Sequence, residues 1–315
     1  MQLVNKMEAK ITKIYSFIFM AVIVVFYFFS NTALAQTPEI DQKLNETKAE
    51  VQKLADIKDK IDISDEEKGR LEIESKKKII LDVIEVSVAQ VKDLESKFLS
   101  SSFSESDEWK AIKEEYTKKI SSYFDFYKEE QDKINKGDLD LTKIKEIAKE
   151  IESKKIQEID LGTKEINNIV IFLSISDILK LADQRIDKVG ADVSKIYDKR
   201  LAKSNILRDW YADARSLVFE SHKFNDSFKE VIVNLYGIDK TIANQEFISK
   251  LMSDLKYKQE IAKSRYDSDG NLIIKTDDQL IDEYLESLTV GSLNKIKMAY
   301  DVFVKMSVNV KEYLK

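Results

Sequence analysis

The sequence predicts an all-α protein, an elongated bundle of several helices with coiled-coil-like segments. Its 315 residues include one proline and seven glycines, where average usage would give about 16 and about 22. Hairpin turns depend on these two residue types, so β-sandwiches and β-barrels are excluded. Hydrophobic residues make up 43% and charged residues 34% of the chain, which is typical of helices with one apolar stripe. Because the heptad phase slips every few turns, the pattern favours a bundle over one long coiled coil.

The first 35 residues have the pattern of a secretory signal peptide. Three lysines precede an unbroken apolar run at residues 17–29. The small residues Ala33 and Ala35 then form a signal peptidase site, so we expect cleavage to leave Gln36 as the first residue. The alternative is a retained N-terminal membrane anchor, although this run covers only about 20 Å of a roughly 30 Å hydrocarbon core.

The charge and cysteine content exclude several function classes. Without residues 1–35, which hold three Lys and one Glu, 48 Lys and Arg face 56 Asp and Glu, a formal charge of −8. This acidic balance predicts no nucleic-acid partner. The absence of cysteine excludes disulfides, thiolate metal sites and a cysteine nucleophile.

Residues 36–136 form a predicted N-terminal region of three helices. Apolar residues recur every three or four positions after Pro38 and define the first helix. Ser64 and Glu67 form a capping box at the start of the second helix, and the serine-rich residues 100–106 predict a loop. A third helix is expected over residues 107–136, with Gly137 as its end.

Residues 137–315 form a predicted C-terminal helical bundle. The apolar pattern predicts a helix ending at Gly162 and another over residues 163–189 that ends at Gly190. Further helices are expected over residues 196–218, 226–236, 241–263, 277–288 and 292–313. A turn cluster followed by β-branched residues predicts at most a minor two-strand excursion near residues 266–275.

Few residues carry recognisable chemistry. His222 is the single histidine, and it lacks the Glu three positions earlier that a carboxylate-bridged metal bundle uses. Asp267, Asp269 and Asn271 resemble the middle of an EF-hand loop and form a weak calcium candidate. Arg265 and Thr276 occupy the positions of the two end ligands, so a plain turn is the alternative. We expect no other cofactor.

Two apolar features point to surfaces rather than catalysis. Phe124 and Phe126 fall off the stripe defined by Tyr116 and Tyr123, so they are a candidate partner surface. Residues 169–173 form the most apolar patch after the signal peptide, and a buried bundle helix explains them. The alternative is a membrane-active segment, although five residues are too few to span a bilayer.

These observations lead to three hypotheses. The first is an exported, non-enzymatic scaffold, adaptor or interaction protein, located in the periplasm, in the cell envelope or outside the cell. It would bind a protein partner and would touch the membrane only through an uncleaved N-terminal segment. The second is a membrane-active helical protein that uses residues 169–173. The third is an enzyme or ligand binder without a recognisable motif.

Overall fold

The chain is all-α, as predicted. The computed structural model describes residues 38–59, 64–137, 139–198, 204–237, 242–261 and 275–313, and these contain helices and their connections without a strand. The helices are α1 (Pro38–Asp59), α2 (Asp65–Ser100), α3 (Asp107–Lys136), α4 (Leu141–Lys154), α5 (Asp160–Asp198), α6 (Ser204–Tyr236), α7 (Ile242–Ile261) and α8 (Asp277–Tyr313). Residues 266–274 of the expected strand excursion lie outside the described residues. The expected elongation and coiled-coil character stay predictions.

Local side-chain caps begin several helices. The Ser64 hydroxyl accepts a hydrogen bond from the Glu67 amide at 3.2 Å, as the predicted capping box requires. Asp140 caps α4 by accepting bonds from the amides of Thr142 and Lys143 at 2.9 and 2.8 Å. Such caps satisfy amides that have no partner inside the helix, so the starts of these helices are encoded locally.

Two of the expected helix ends are wrong, because α5 runs through both Gly162 and Gly190. These glycines make room for tyrosine rings instead. A Cβ at Gly162 would overlap the hydroxyl oxygen of Tyr123, and one at Gly190 would lie 2.6 Å from the hydroxyl oxygen of Tyr211. For a similar reason the two helices expected in residues 277–313 are one helix, in which Gly291 lies against the Phe224 ring. Close packing of rings, rather than chain reversal, explains these positions.

The boundary between α4 and α5 is a five-residue π-helical turn, Lys155–Ile159. Ile151, Lys155 and Ile159 are all buried at four-residue spacing. Four residues exceed one turn of an α-helix, so this spacing would drift around the helix. The wider π turn reduces that drift and keeps Ile159 on the buried face.

The described helices divide into two compact units, one from the described residues up to 97 with 116–164, the other from residues 98–115 with the described residues from 165 onward. The sequence-predicted regions, residues 36–136 and 137–315, stay predictions. In the first unit, most of the predicted apolar stripes are buried. These buried residues are Ile80, Ile84, Val91 and Leu94 of α2, Tyr116, Ile120, Tyr123, Tyr127 and Ile134 of α3, and Ile144, Ile147 and Ile151 of α4.

The core of the second unit is built by α5, α6 and α8. Its buried members are Ile175, Leu179, Ala182, Ile186, Val193, Leu207, Ala214, Val218, Ile296, Ala299, Phe303 and Met306. Helix α6 runs antiparallel to α8, since Glu220 pairs with Lys295 at 2.5 Å and Phe224, four residues later, lies against Gly291, four residues earlier. The hydroxyls of Ser221 and Ser292 bond at 2.7 Å. The residues expected to form a separate helix over 226–236 are the end of α6.

Candidate functional site

Two sets of sequence-predicted site residues lie outside the described residues. They are the calcium candidates Asp267, Asp269 and Asn271, and the signal peptidase residues Ala33, Ala35 and Gln36. Both sites therefore stay predictions. Within the described part of the chain, no group of three or more His, Asp and Glu side chains is placed to hold a metal ion.

The candidate partner residues Phe124 and Phe126 are half-buried on α3. The Phe126 ring lies 5.4 Å from the Tyr127 ring, measured between centroids, and the Lys154 ammonium lies 5.9 Å above it. The first unit thus covers part of Phe126 itself. The aromatic surface left for a partner at this point is small.

The apolar patch at residues 169–173 belongs mostly to the interior of the second unit. Ile169, Phe172 and Leu173 are buried, and Ile171 is exposed. The Phe172 ring stacks between Trp109 at 5.2 Å and Phe228 at 5.9 Å. Among the described helices, none is both long and apolar enough to cross a membrane.

His222 joins two helices of the second unit rather than standing at a helix end. Its Nε2 atom lies 3.0 and 3.1 Å from the two carboxylate oxygens of Asp183, so the pair links α6 to α5. Both side chains are more than a third exposed. A half-exposed contact of this kind contributes less than about 1 kcal/mol to stability.

A charged cleft of about 500 Å³ lies between α1 and α2 in the first unit. The buried Glu50 carboxylate accepts hydrogen bonds there from Lys78 at 2.9 Å, Lys53 at 3.1 Å and Ser75 at 3.1 Å. Burial acts to raise the pKa of Glu50, but these donors outweigh it and hold the pKa below its usual range. A carboxylate that accepts this many hydrogen bonds is a poor general base. Its contacts link α1 to α2, so Glu50 holds these two helices together.

A small polar cavity lies beside the π turn. Its volume is about 20 Å³, enough for one water molecule. Tyr127, Ser87, Lys155 and Asp160 line it, and Lys155 pairs with Asp160 at 2.5 Å. Burial raises the pKa of Tyr127, and a hydrogen bond with Ser87 lowers it in part. The space is too small for an organic substrate, so this polar group is structural.

Helix α8 has a second apolar face in addition to the one that packs in the core. We call it the α8 apolar face. Its members, between 39% and 61% exposed, are Val290, Leu293, Tyr300, Val304 and Val308. Three of them, Leu293, Tyr300 and Val304, directly follow a buried residue in the sequence. One step rotates a helix by about 100°, so this face lies beside the core face.

The α8 apolar face is regular and partly rigid. Its residues recur at the three- and four-residue spacing of a coiled-coil seam, and the exposed Lys297 lies within it. The Tyr300 ring packs edge-on against the buried Phe303 at 5.7 Å between centroids, which restricts its motion. Met298 is 49% exposed, but it precedes the buried Ala299 and lies on the other flank of the core face. Contiguous exposed apolar surface of this kind marks interaction sites.

Sequence reasoning predicted two helices here, over residues 277–288 and 292–313, and missed this face. A signal was present, because apolar residues in 290–308 spread over more of the helix than one core-facing stripe needs. The sequence does not say which part of that wide stripe another helix covers.

Comparison with known proteins adds no functional information, since no family model, curated protein or solved structure matches this chain. The geometry of the described residues is therefore the basis for a functional proposal.

Proposed function

We propose that this chain is an exported, non-enzymatic helical interaction protein that binds a protein partner through the α8 apolar face. The observation that carries the proposal is the row of five exposed apolar residues at coiled-coil spacing on a helix already held in the core. The exposed residues Asn294, Asp301 and Lys305 beside this row are polar or charged, so the row is a bounded apolar site.

The shape of the face fits a protein helix better than a small molecule or a lipid surface. Residues three and four apart form ridges that pack into the grooves of a second helix. Tyr300 supplies a large ring with little conformational freedom to lose, as residues that dominate binding energy often do. The chain carries a formal charge of −6, which gives it no overall electrostatic attraction to anionic lipid.

Export is supported by the N-terminal residues alone. A basic start, an apolar run at residues 17–29 and the Ala33 and Ala35 pair direct the chain to the secretory pathway. The partner would then be a protein of the envelope, periplasm or extracellular space. The proposal also includes a weakly bound calcium ion at Asp267, Asp269 and Asn271.

The test is site-specific photo-crosslinking in the producing cells. A crosslinking amino acid replaces Val304 in one variant and Met298 in a matched control, which is apolar, exposed and on the same helix. We expect a discrete protein adduct from position 304 and none from position 298. Intact mass of the purified chain should show Gln36 as its first residue. Equal labelling at both positions, or none at either, would contradict an interaction site on this face.

Two other measurements address the remaining hypotheses. Leakage of anionic liposomes on addition of the protein would support a membrane-active protein that uses residues 169–173. A rise in melting temperature with a small molecule would support a ligand binder. The cleft around Glu50 is the place to look for such a ligand, since its volume of about 500 Å³ suits one.

A further inference from the structure

We infer that the partner of the α8 apolar face is a second copy of this chain, packed with its α8 antiparallel to the first. This inference rests on the proposed function and specifies the partner. The contacts of α8 within the second unit leave the face open, and the charges inside the face are arranged to complement themselves.

Heptad geometry defines which residues would meet. Val290, Lys297 and Val304 occupy one core position of the seam, called a, while Leu293 and Tyr300 occupy the other, called d. In an antiparallel pair each a residue faces a d residue of the second helix. A two-fold axis between residues 298 and 299 then places Leu293 opposite Val304 of the second copy, at both ends of the contact. It also brings Val290 near Val308 of the second copy.

The charge of Lys297 selects this orientation. In a parallel pair, Lys297 would face Lys297 of the second copy, and two ammonium groups would repel each other in an apolar seam. In the antiparallel pair it faces Tyr300, whose ring attracts a cation. Asp301 follows Tyr300 on the exposed surface, so its carboxylate is next to the ammonium of the other copy. Both of these contacts occur twice because of the two-fold symmetry.

The size of the face predicts a weak dimer. From Val290 to Val308 it extends about 27 Å at 1.5 Å per residue, one helix wide. A single helix pair of this length is smaller than a standard stable interface. We expect a dissociation constant on the order of micromolar, so that the local concentration of the protein controls pairing.

Cysteine pairing tests the orientation directly, because the chain contains no cysteine of its own. Leu293→Cys and Val304→Cys variants of the full chain are oxidised separately and as a mixture. In the antiparallel pair, residue 293 is opposite residue 304, while the two copies of residue 293 are about 16 Å apart along the axis. A disulfide needs Cα atoms within about 7 Å. We expect mixed disulfides to exceed either self-pairing at least about tenfold.

Sedimentation equilibrium tests the dimer itself. Val304→Asp should raise the dissociation constant at least about tenfold, while Met298→Asp should change it by no more than about twofold. A Lys297→Asp variant should also weaken the dimer, and adding Asp301→Lys to it should restore pairing. Circular dichroism must show that each variant keeps its helices.

The outcomes separate the inference from the proposed function. Dimers with mixed disulfides support the inference. A wild-type chain that stays monomeric, or self-pairing of Leu293→Cys as strong as mixed pairing, overturns it. If position 304 then crosslinks to a different protein in cells, the proposed interaction function stands without the dimer. If position 304 crosslinks to nothing, both fail.

Discussion

Three glycines inside long helices show how single residues position the packing of this protein. The Tyr123 hydroxyl packs against Gly162, and the Tyr211 ring packs against Gly190. The Phe224 ring packs against Gly291. Glycine in a helix interior costs about 1 kcal/mol relative to alanine. The ring packing that it allows, with Tyr123 fully buried, stabilises the fold by more than that.

Gly162→Ala should lower the free energy of unfolding by about 1 to 3 kcal/mol, because the new methyl group overlaps the Tyr123 hydroxyl. Gly69→Ala is the matched control, since a Cβ at Gly69 meets nothing within 4 Å. It should raise the free energy by about 0.5 to 1 kcal/mol through helix propensity. Urea unfolding measures both. Tyr123→Phe added to Gly162→Ala should recover part of the loss, and equal effects of the two alanines would refute the packing explanation.

Two tyrosines with raised pKa values predict loss of stability in alkali. Burial raises the pKa of Tyr236 to about 12, and burial also raises the pKa of Tyr127, whereas an unfolded tyrosine titrates near 10. Below about pH 10 these tyrosines are protonated in both the folded and the unfolded state, so they cause no change in the free energy of unfolding with pH. Above it the unfolded chain loses protons that the folded chain keeps, so stability falls by about 1.4 kcal/mol per pH unit for each tyrosine.

The measurement is urea unfolding followed between about pH 9 and about pH 12. Tyr236→Phe should flatten the decline, although it also removes the hydrogen bond that Asn168 donates to the Tyr236 hydroxyl at 3.0 Å. Tyr257→Phe, at an exposed residue, should leave the slope unchanged. A slope unaffected by Tyr236→Phe would mean that lysines or other groups cause the decline.

At the scale of elements, some helix boundaries followed the sequence, but several helix lengths did not. Ser64 caps α2 as predicted, and Gly237 ends α6 as predicted. Both depend on bonds within one turn, which the sequence contains. The continuous run from α4 through the π turn into α5 was not predicted. In the sequence Gly162 indicates a helix end, and only the structure shows that Tyr123 packs against it.

Helix α4 offers a clean test of local capping. Asp140→Ala should lower the free energy of unfolding by about 1 kcal/mol, because the amides of Thr142 and Lys143 lose their acceptor. Asp140→Asn keeps an acceptor oxygen and should lose only the smaller charge interaction with the helix N-terminus. Thermal unfolding of the two variants checks the order. If Asp140→Asn costs as much as Asp140→Ala, the charge and not the hydrogen bond carries the cap.

At the scale of the whole chain, the described residues form two units, and each unit combines segments that are not contiguous in the sequence. Residues 98–115 belong to the second unit although α2 and most of α3 build the first. The sequence does not indicate such a division, because contacts between distant segments create it. The proposed interaction site lies wholly on α8, within the second unit.

The helical class, the Ser64 cap and most core stripes could be predicted from the sequence, because these are local properties of backbone and side chains. The roles of Gly162 and Gly190 and the existence of the α8 apolar face required the packed molecule. The sequence pattern of an apolar residue is the same whether a neighbouring helix covers the residue or leaves it exposed. Which side of α8 is covered depends on where α5 and α6 pack, a long-range outcome that residue spacing does not contain.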